Sequence, residues 1–401
     1  MRLIQAFYAS AQKNLKKIAL ITENNQLSYE EILFLVRSCE TECMIRGLRQ
    51  GHRVVLATDR PEFLLAFTLL ASRRSLTLIF STAQQVIAAG VEFEFMISTG
   101  PSDLVEPERQ IIIEPEWFAA LGAGMFGDFG VIYGEGAQLV HPSSGTTGIA
   151  KFISSSEFRT ARVATLPDQR IDGEPLAEMR LLASISMQMS WAMRTALRVL
   201  MAGGSVVALG DHRNRPLQYI DLYRVTYFMT TPVVVRQMLE LGTARQYLSS
   251  LKAIRISGAY TSAELLARLA ETYSGRIIVG YGASEIGAIC SAQYDPNKKR
   301  GDGYLGEISR SDLEIAFFDE NMRLLEGANE GIIGLRERGN LGGQKYIGAY
   351  QGDAKTGFME GYFFPGDIMR REGESLFMVG RIKNIINVGG NKIALEAVQS
   401  A

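Results

Sequence analysis

An α/β fold, with mostly parallel helix-covered sheets and a small antiparallel barrel or sheet towards the C-terminus, is predicted by two textures in the chain and by its length. Short apolar and β-branched runs alternate with helical patterns through the first 280 residues, which is how parallel sheets under helices are built. After residue 310 strand-like runs follow one another without helices between them. A chain of 401 residues exceeds the size at which a single hydrophobic core keeps growing, so two or more lobes are expected.

The elements follow in order. Ser28, with Glu31 three positions on, has the spacing of a reciprocal helix cap. Arg53 to Ala57 is a strand, Glu62 to Ser72 a helix and Leu76 to Phe80 a second strand. The glycine-rich stretch from Gly122 to Gly136 is the candidate flexible connection between subdomains. Ser205 to Leu209, Thr226 to Thr230 and Arg276 to Gly280 repeat the strand theme between helical segments. Leu313 to Asp319, Gly331 to Arg336 and the run 368–379 supply the antiparallel part. Neither internal repeats nor low-complexity tracts interrupt the pattern.

Composition excludes several classes. With 42 Lys and Arg against 43 Asp and Glu there is no bulk cationic field for nucleic acid or an anionic membrane. The most apolar stretch, Phe63 to Phe80, is broken by Arg73 and Arg74 and reads as helix then strand, not as a membrane span. Cys39, Cys43 and Cys290 are sparse, odd in number and without zinc-ligand spacing, so a reducing cytoplasm is expected. The first residues lack the long apolar region and cleavage site of a secretory signal.

The most informative segment is Val140-His-Pro-Ser-Ser-Gly-Thr-Thr-Gly-Ile-Ala-Lys151. Gly145 and Gly148 free the backbone to turn successive N–H groups towards one anion, Ser143, Ser144, Thr146 and Thr147 add short donors, and Lys151 adds a point charge. On composition alone such a run between apolar segments usually makes only a solvated loop. No glycine directly precedes Lys151 and no hydroxyl follows it, so the G-x-x-x-x-G-K-[ST] pattern of P-loop phosphotransferases is absent.

This run resembles the phosphate-binding signature of the adenylate-forming superfamily, which contains acyl-CoA synthetases, aryl-acid ligases, nonribosomal adenylation domains and firefly luciferase. Ala150 stands where proline is commonest. Leu251-Lys-Ala-Ile-Arg-Ile-Ser-Gly-Ala259 resembles the strand that ends in a small-residue turn beside adenine, which implicates Gly258 and Ala259. Gly280-Tyr-Gly-Ala-Ser-Glu-Ile-Gly287 resembles the Tyr-Gly-x-Thr-Glu segment: Tyr281 has a flat ring suited to stacking on a purine, Ser284 replaces threonine, and Glu285 offers a hard oxygen to Mg²⁺. Gly361-Tyr-Phe-Phe-Pro-Gly-Asp367 resembles Gly-Trp-x-x-Thr-Gly-Asp, so Asp367 inherits the ribose hydroxyls, while Pro365 removes a hydroxyl. Arg381 matches the arginine near ribose and phosphates, and Lys383 falls at the hinge.

The resemblance implies an acyl-CoA synthetase-like large domain over 1–380, in subdomains of roughly 1–135, 136–300 and 301–380, and a hinge with the stub of a small domain over 381–401. It implies catalysis with Lys151 and Glu285, with ATP and Mg²⁺ and with coenzyme A or a pantetheine thiol as acyl acceptor. The partners are then a small carboxylic acid and a thiol or carrier protein, and the setting is secondary metabolism. Met189 aligns where relatives place an aromatic residue or histidine beside the carboxylate. Gln188, Met189, Trp191, Gly282 and Gly287 are assigned to the acid pocket, apolar enough for an aryl or medium acyl group, although methionines at 187, 189 and 193 also suit a core. His141 alone of three histidines lies beside a motif, and position is all that suggests a general base. Relatives carry a catalytic lysine in the small domain, most of which lies beyond the last residue here. A binding protein with little turnover is therefore the alternative to an active acid-thiol ligase.

Overall fold

A computed structural model of the chain describes all residues except 123–128, 130–131, 144–149, 165–167, 211–215, 242–243, 299–302, 339–344, 349–356, 383–384, 389–390 and 395–401. The segment 122–136, expected to connect subdomains, falls largely outside the described residues. The chain divides into two compact units, one from Met1–Asn214 with Gly342–Gln351, the other from Arg215–Leu341 with Gly352–Ala401.

In the first unit a seven-stranded sheet runs in the order Lys345–Ile347, Lys151–Ser156, Gln138–Ser143, Thr77–Phe80, Arg53–Ala57, Phe95–Ser98, Gln110–Ile112. The last five strands are parallel, whereas Lys151–Ser156 is antiparallel to both its neighbours. One face of this sheet buries Val55, Ile79, Met96, Val140 and Phe152 with Val86 of the short helix Ala83–Ala88. Another four strands, Gln26–Ser28, Ile18–Ile21, Ser205–Ala208 and Arg180–Ala183, pair in that order.

Local sequence chemistry explains the helix that begins at Tyr29. Ser28 Oγ accepts from the Glu31 N–H at 3.2 Å while Glu31 accepts the Ser28 N–H at 2.7 Å, closing the reciprocal cap that the spacing predicts. The apolar helix Pro61–Arg74 is buried along nearly its whole length and stops at Ser75, whose φ of 53° no helix continues. Its two arginines are not a surface break. Arg73 and Arg74 both meet Glu40, at 2.9 and 2.5 Å, so each has a carboxylate partner inside the unit. Among the described residues no helix is long and apolar enough to cross a membrane.

The second unit starts from three parallel strands, Tyr227–Thr230, Ala253–Ile256 and Arg276–Ala283. The same sheet then turns antiparallel through Gly287–Gln293, Tyr304–Ile308, Ser375–Arg381, Asp367–Glu372 and Glu330–Glu337. Leu313–Phe318 and Tyr362–Phe364 also pair with Glu330–Glu337. Ile289, Cys290, Leu313, Ile333, Leu335 and Met369 form the core of this part, which gives the helix-free run its reason to be alternately apolar.

One buried carboxylate joins four segments of the first unit. Glu157, fully buried at the start of the helix Glu157–Ala164, accepts the Leu3 N–H at 3.0 Å, the Ala137 N–H at 2.8 Å and the Ser72 hydroxyl. It also pairs with Arg2, itself only 4% exposed, at 2.5 Å. Removing one partner of a buried pair strands the other charge, at a cost of about 3–5 kcal/mol. Glu157→Ala is therefore expected to lower unfolding free energy in denaturant titrations by about that amount, and a change below about 1 kcal/mol, the scale of an exposed ion pair, would contradict this assignment.

Candidate active site

The two ends of the Ser/Gly/Thr-rich segment lie on paired strands. Strands Gln138–Ser143 and Lys151–Ser156 pair antiparallel in a register that sets Ser143 directly opposite Lys151. A hydroxyl and an ammonium thus stand at the two ends of the intervening sequence. Ser144, Gly145, Thr146, Thr147 and Gly148 lie outside the described residues. Because side chains alternate along a strand, His141, Ser143, Lys151 and Ile153 share one face, opposite to that of Val140 and Phe152. Lys151 is 9% exposed, with its Nζ 6.0 Å from the centre of the Tyr346 ring.

His141 connects this hairpin to the proposed acid-binding segment. Its ring stacks on Phe80 at 4.5 Å with 7° between planes, and its Nδ1 lies 2.7 Å from the Gln188 carbonyl oxygen. A carbonyl only accepts, so Nδ1 carries the proton and Nε2 does not. Burial lowers the pKa of His141 to about 4, with the positive charge of Arg194 acting in the same direction and the Gln188 bond opposing them. The residue is thus a neutral fixture at neutral pH, not a base poised near 7. The Gln188 side chain is committed too: its Nε2 donates to the Thr58 carbonyl at 2.7 Å. Met189 and Trp191 are half-buried at the start of the helix Ser190–Met201, while Met187 and Met193 belong to the core.

In the second unit the motifs cluster at the carboxyl ends of parallel strands, where α/β sheets hold ligands. Ala253–Ile256 pairs with Arg276–Ala283 through Ile256 and Val279, so the two motifs run out side by side. Gly258 and Ala259 are exposed just past the first strand, and Gly258 has a φ of +91° that favours glycine. Ala283 pairs with Gly287 around a turn in which the Ile286 N–H donates to the Ala283 carbonyl at 3.2 Å. Ser284 and Glu285 are half-buried on that turn, and buried Ile286 anchors it. A Cβ on Gly282 would meet the Gly287 carbonyl oxygen at 2.5 Å, so the hairpin admits only glycine there.

Asp367 is held from two sides. The Tyr281 hydroxyl donates to its Oδ2 at 2.5 Å and the Arg381 Nε donates to its Oδ1 at 2.9 Å. Arg381 stands directly across the ladder from Asp367, half exposed, whereas Asp367 is 1% exposed. Burial and then the Asp367 charge push the Tyr281 hydroxyl well above its usual range, so it remains a donor. Lys383 lies outside the described residues. Sequence reasoning named all three members of this triad but gave no sign that Tyr281, 86 positions from Asp367, binds it through its hydroxyl.

Residues 138–343, just over half of the chain, match the AMP-binding enzyme family. The chain belongs to this family. Triostin synthetase I of Streptomyces triostinicus is 26% identical over 97% of this chain and 77% of its own length. 4-coumarate-CoA ligase 1 of Narcissus pseudonarcissus is 26% identical over 94% of this chain and 74% of its own. Among solved structures, the anthranilate CoA ligase AuaEII in complex with anthranoyl-AMP has the same fold, with a TM-score of 0.81 at 17% identity over 100% of this chain and 82% of that one. The stretch matched to the family contains the hairpin of Lys151 and the turn of Glu285.

The neutral state of His141 has a consequence for stability. Its pKa is lower folded, about 4, than its ordinary 6.5, so the unfolded chain binds more protons between those values. Its contribution is complete above pH 6.5 and is lost as pH falls towards 4, to the extent of about 3 kcal/mol. NMR titration of the imidazole should show it neutral at pH 5; an inflection near 6.5 would refute the assignment.

Proposed function

We propose that this chain activates a small carboxylic acid with ATP, releasing pyrophosphate and forming an acyl-adenylate, then transfers the acyl group to the thiol of coenzyme A or a carrier pantetheine. The observation that carries this reading is the strand pairing that sets Ser143 against Lys151 at the two ends of the Ser/Gly/Thr run within the family-matched stretch. In the first step a carboxylate oxygen attacks the α-phosphorus, a P–O bond forms, and the bond to pyrophosphate breaks. The acid is already ionised at neutral pH, so no general base is needed, in keeping with a neutral buried His141. Thiolate attack on the acyl carbon then breaks the C–O bond and releases AMP.

Lys151, with Ser143, Ser144, Thr146 and Thr147 and the backbone at Gly145 and Gly148, is assigned to the phosphates, stabilising charge on the leaving pyrophosphate. Asp367 is assigned to the ribose hydroxyls, with Arg381 beside it. Gly258, Ala259 and Tyr281 are assigned to the adenine and ribose surface, although the hydroxyl bond of Tyr281 gives it a second role in orienting Asp367. Among the described residues no cluster of three or more His, Cys, Asp or Glu stands ready to hold a metal by itself. A single half-buried carboxylate such as Glu285 fits Mg²⁺, which keeps its phosphate and water ligands. Mg²⁺ would neutralise charge between phosphate oxygens during displacement.

Relatives named for 4-coumarate and anthranilate act on aromatic acids, and half-buried Met189 and Trp191 offer apolar surface of the same kind. We assign an aryl acid as the preferred substrate class, with Gln188 beside Met189 and Trp191 in its site. Lys383 is assigned to the hinge of a large domain over 1–380. Three buried thiols, Cys39, Cys43 and Cys290, suit a reducing compartment, and we place the reaction in the cytoplasm.

Variants separate these roles. Lys151→Ala is expected to weaken ATP binding in calorimetry by roughly 1.5–3 kcal/mol, the worth of a charge-assisted contact. Glu285→Gln should impair Mg²⁺-dependent exchange of labelled pyrophosphate into ATP while sparing AMP binding, and Asp367→Asn should weaken AMP binding without metal. Equal loss of metal-free AMP affinity in the last two variants would show their assignments to be wrong.

A further inference from the structure

The strand Lys345–Ile347 is separated from the loop motif by almost two hundred positions, yet it forms the edge next to Lys151–Ser156, with Tyr346 opposite Ile153 and Ile347 opposite Phe152. Lys151 lies two residues from Ile153, so Tyr346 is its diagonal neighbour on the same face. Ile347 packs onto the core around Phe152 and Val91. Immediately beyond, Gly348 has a φ of +86°, and a Cβ there would meet the Ala89 carbonyl oxygen at 2.4 Å. The backbone is thus pinned before Tyr346 by the pairing of Lys345 with Ser154 and after it by Ile347 and Gly348. The ring stands 6.0 Å from Lys151 Nζ, at the outer limit of a cation–π contact.

We infer that Tyr346 is a positioning residue for Lys151: its ring face constrains the side chain that presents the ammonium to nucleotide phosphates. The inference rests on the proposed phosphate role of Lys151 and adds a requirement that the loop motif alone does not contain. An ammonium on a four-carbon stem has many rotamers, and an aromatic face on the neighbouring strand removes part of that freedom before the nucleotide arrives. The ring is the working part, so phenylalanine serves in its place and leucine does not.

The test uses calorimetric affinities for ATP and for adenosine in the full chain, with thermal melts as a control on folding. Tyr346→Leu should raise the dissociation constant for ATP about threefold to tenfold and leave that for adenosine unchanged. Tyr346→Phe should match wild type. In a Lys151→Ala background, Tyr346→Leu should have no further effect on ATP, because the group it positions is gone. Unchanged ATP affinity in Tyr346→Leu, an equal loss for adenosine, or full additivity with Lys151→Ala would overturn the inference, as would a wild-type chain that binds no ATP. Wild type that binds ATP and responds to Tyr346 as stated, yet catalyses no carboxylate-dependent pyrophosphate exchange, would instead uphold the positioning role and refute the proposed reaction.

Discussion

Glu157 is the constraint on which the first unit depends. A fully buried carboxylate is tolerated only when its charge is matched and its lone pairs are filled, and here both conditions are met by parts of the chain that are far apart in sequence. Arg2 and Leu3 come from the N-terminus, Ser72 from the long buried helix, and Ala137 from the residue before the first strand of the loop hairpin. Glu157 itself follows directly on the strand that begins with Lys151. The far ends of both hairpin strands are thus fastened to one charge, while Ser143 and Lys151 occupy the near ends. Strands fastened in this way suit the phosphate role proposed for Ser143 and Lys151, since donors that are already in place cost no reorganisation during a reaction.

Asp367 shows the same principle with a different outcome. It too is buried, but its two identified donors differ: Tyr281 is a neutral hydroxyl kept protonated by its surroundings, and Arg381 is a half-exposed cation. The first fixes direction without cancelling charge, and the second cancels charge while remaining in contact with solvent. Glu285, by contrast, sits half-buried on a tight turn. A fixed acceptor suits hydroxyls whose positions are set by a sugar ring, and a turn carboxylate suits a metal whose other ligands are water and phosphate.

What could be read from the sequence was mainly what short-range chemistry decides. The Ser28 and Glu31 cap and the strand Arg53–Ala57 are found where local pattern puts them. The strand read as Arg276 to Gly280 runs on to Ala283, because the motif residues Tyr281 to Ala283 are themselves ladder residues of a hairpin and turn signals in the glycines concealed it. Arg73 and Arg74, rightly read as incompatible with a membrane span, gave no hint of Glu40. At the site, motif residues were legible one by one, and their mutual contacts were not. The approach of Tyr346 to Lys151 is made by strand pairing across a long stretch of chain, and the bond from Tyr281 to Asp367 joins two strands that are not paired with each other; no local periodicity encodes either. The register of an antiparallel pair does carry this information, since it states which side chains share a face.

Oxygen transfer from the acid to the nucleotide tests the central claim most directly. Adenylation followed by attack on the acyl carbon must leave one carboxylate oxygen on AMP, because the bond that forms is to phosphorus and the bond that later breaks is to carbon. Incubation with ATP, Mg²⁺, a thiol and ¹⁸O-labelled aryl acids, read by mass spectrometry of the nucleotide products, should give AMP carrying a single ¹⁸O from the acid that is used. Unlabelled AMP, release of ADP with labelled phosphate, or no labelled nucleotide across the panel would contradict the account.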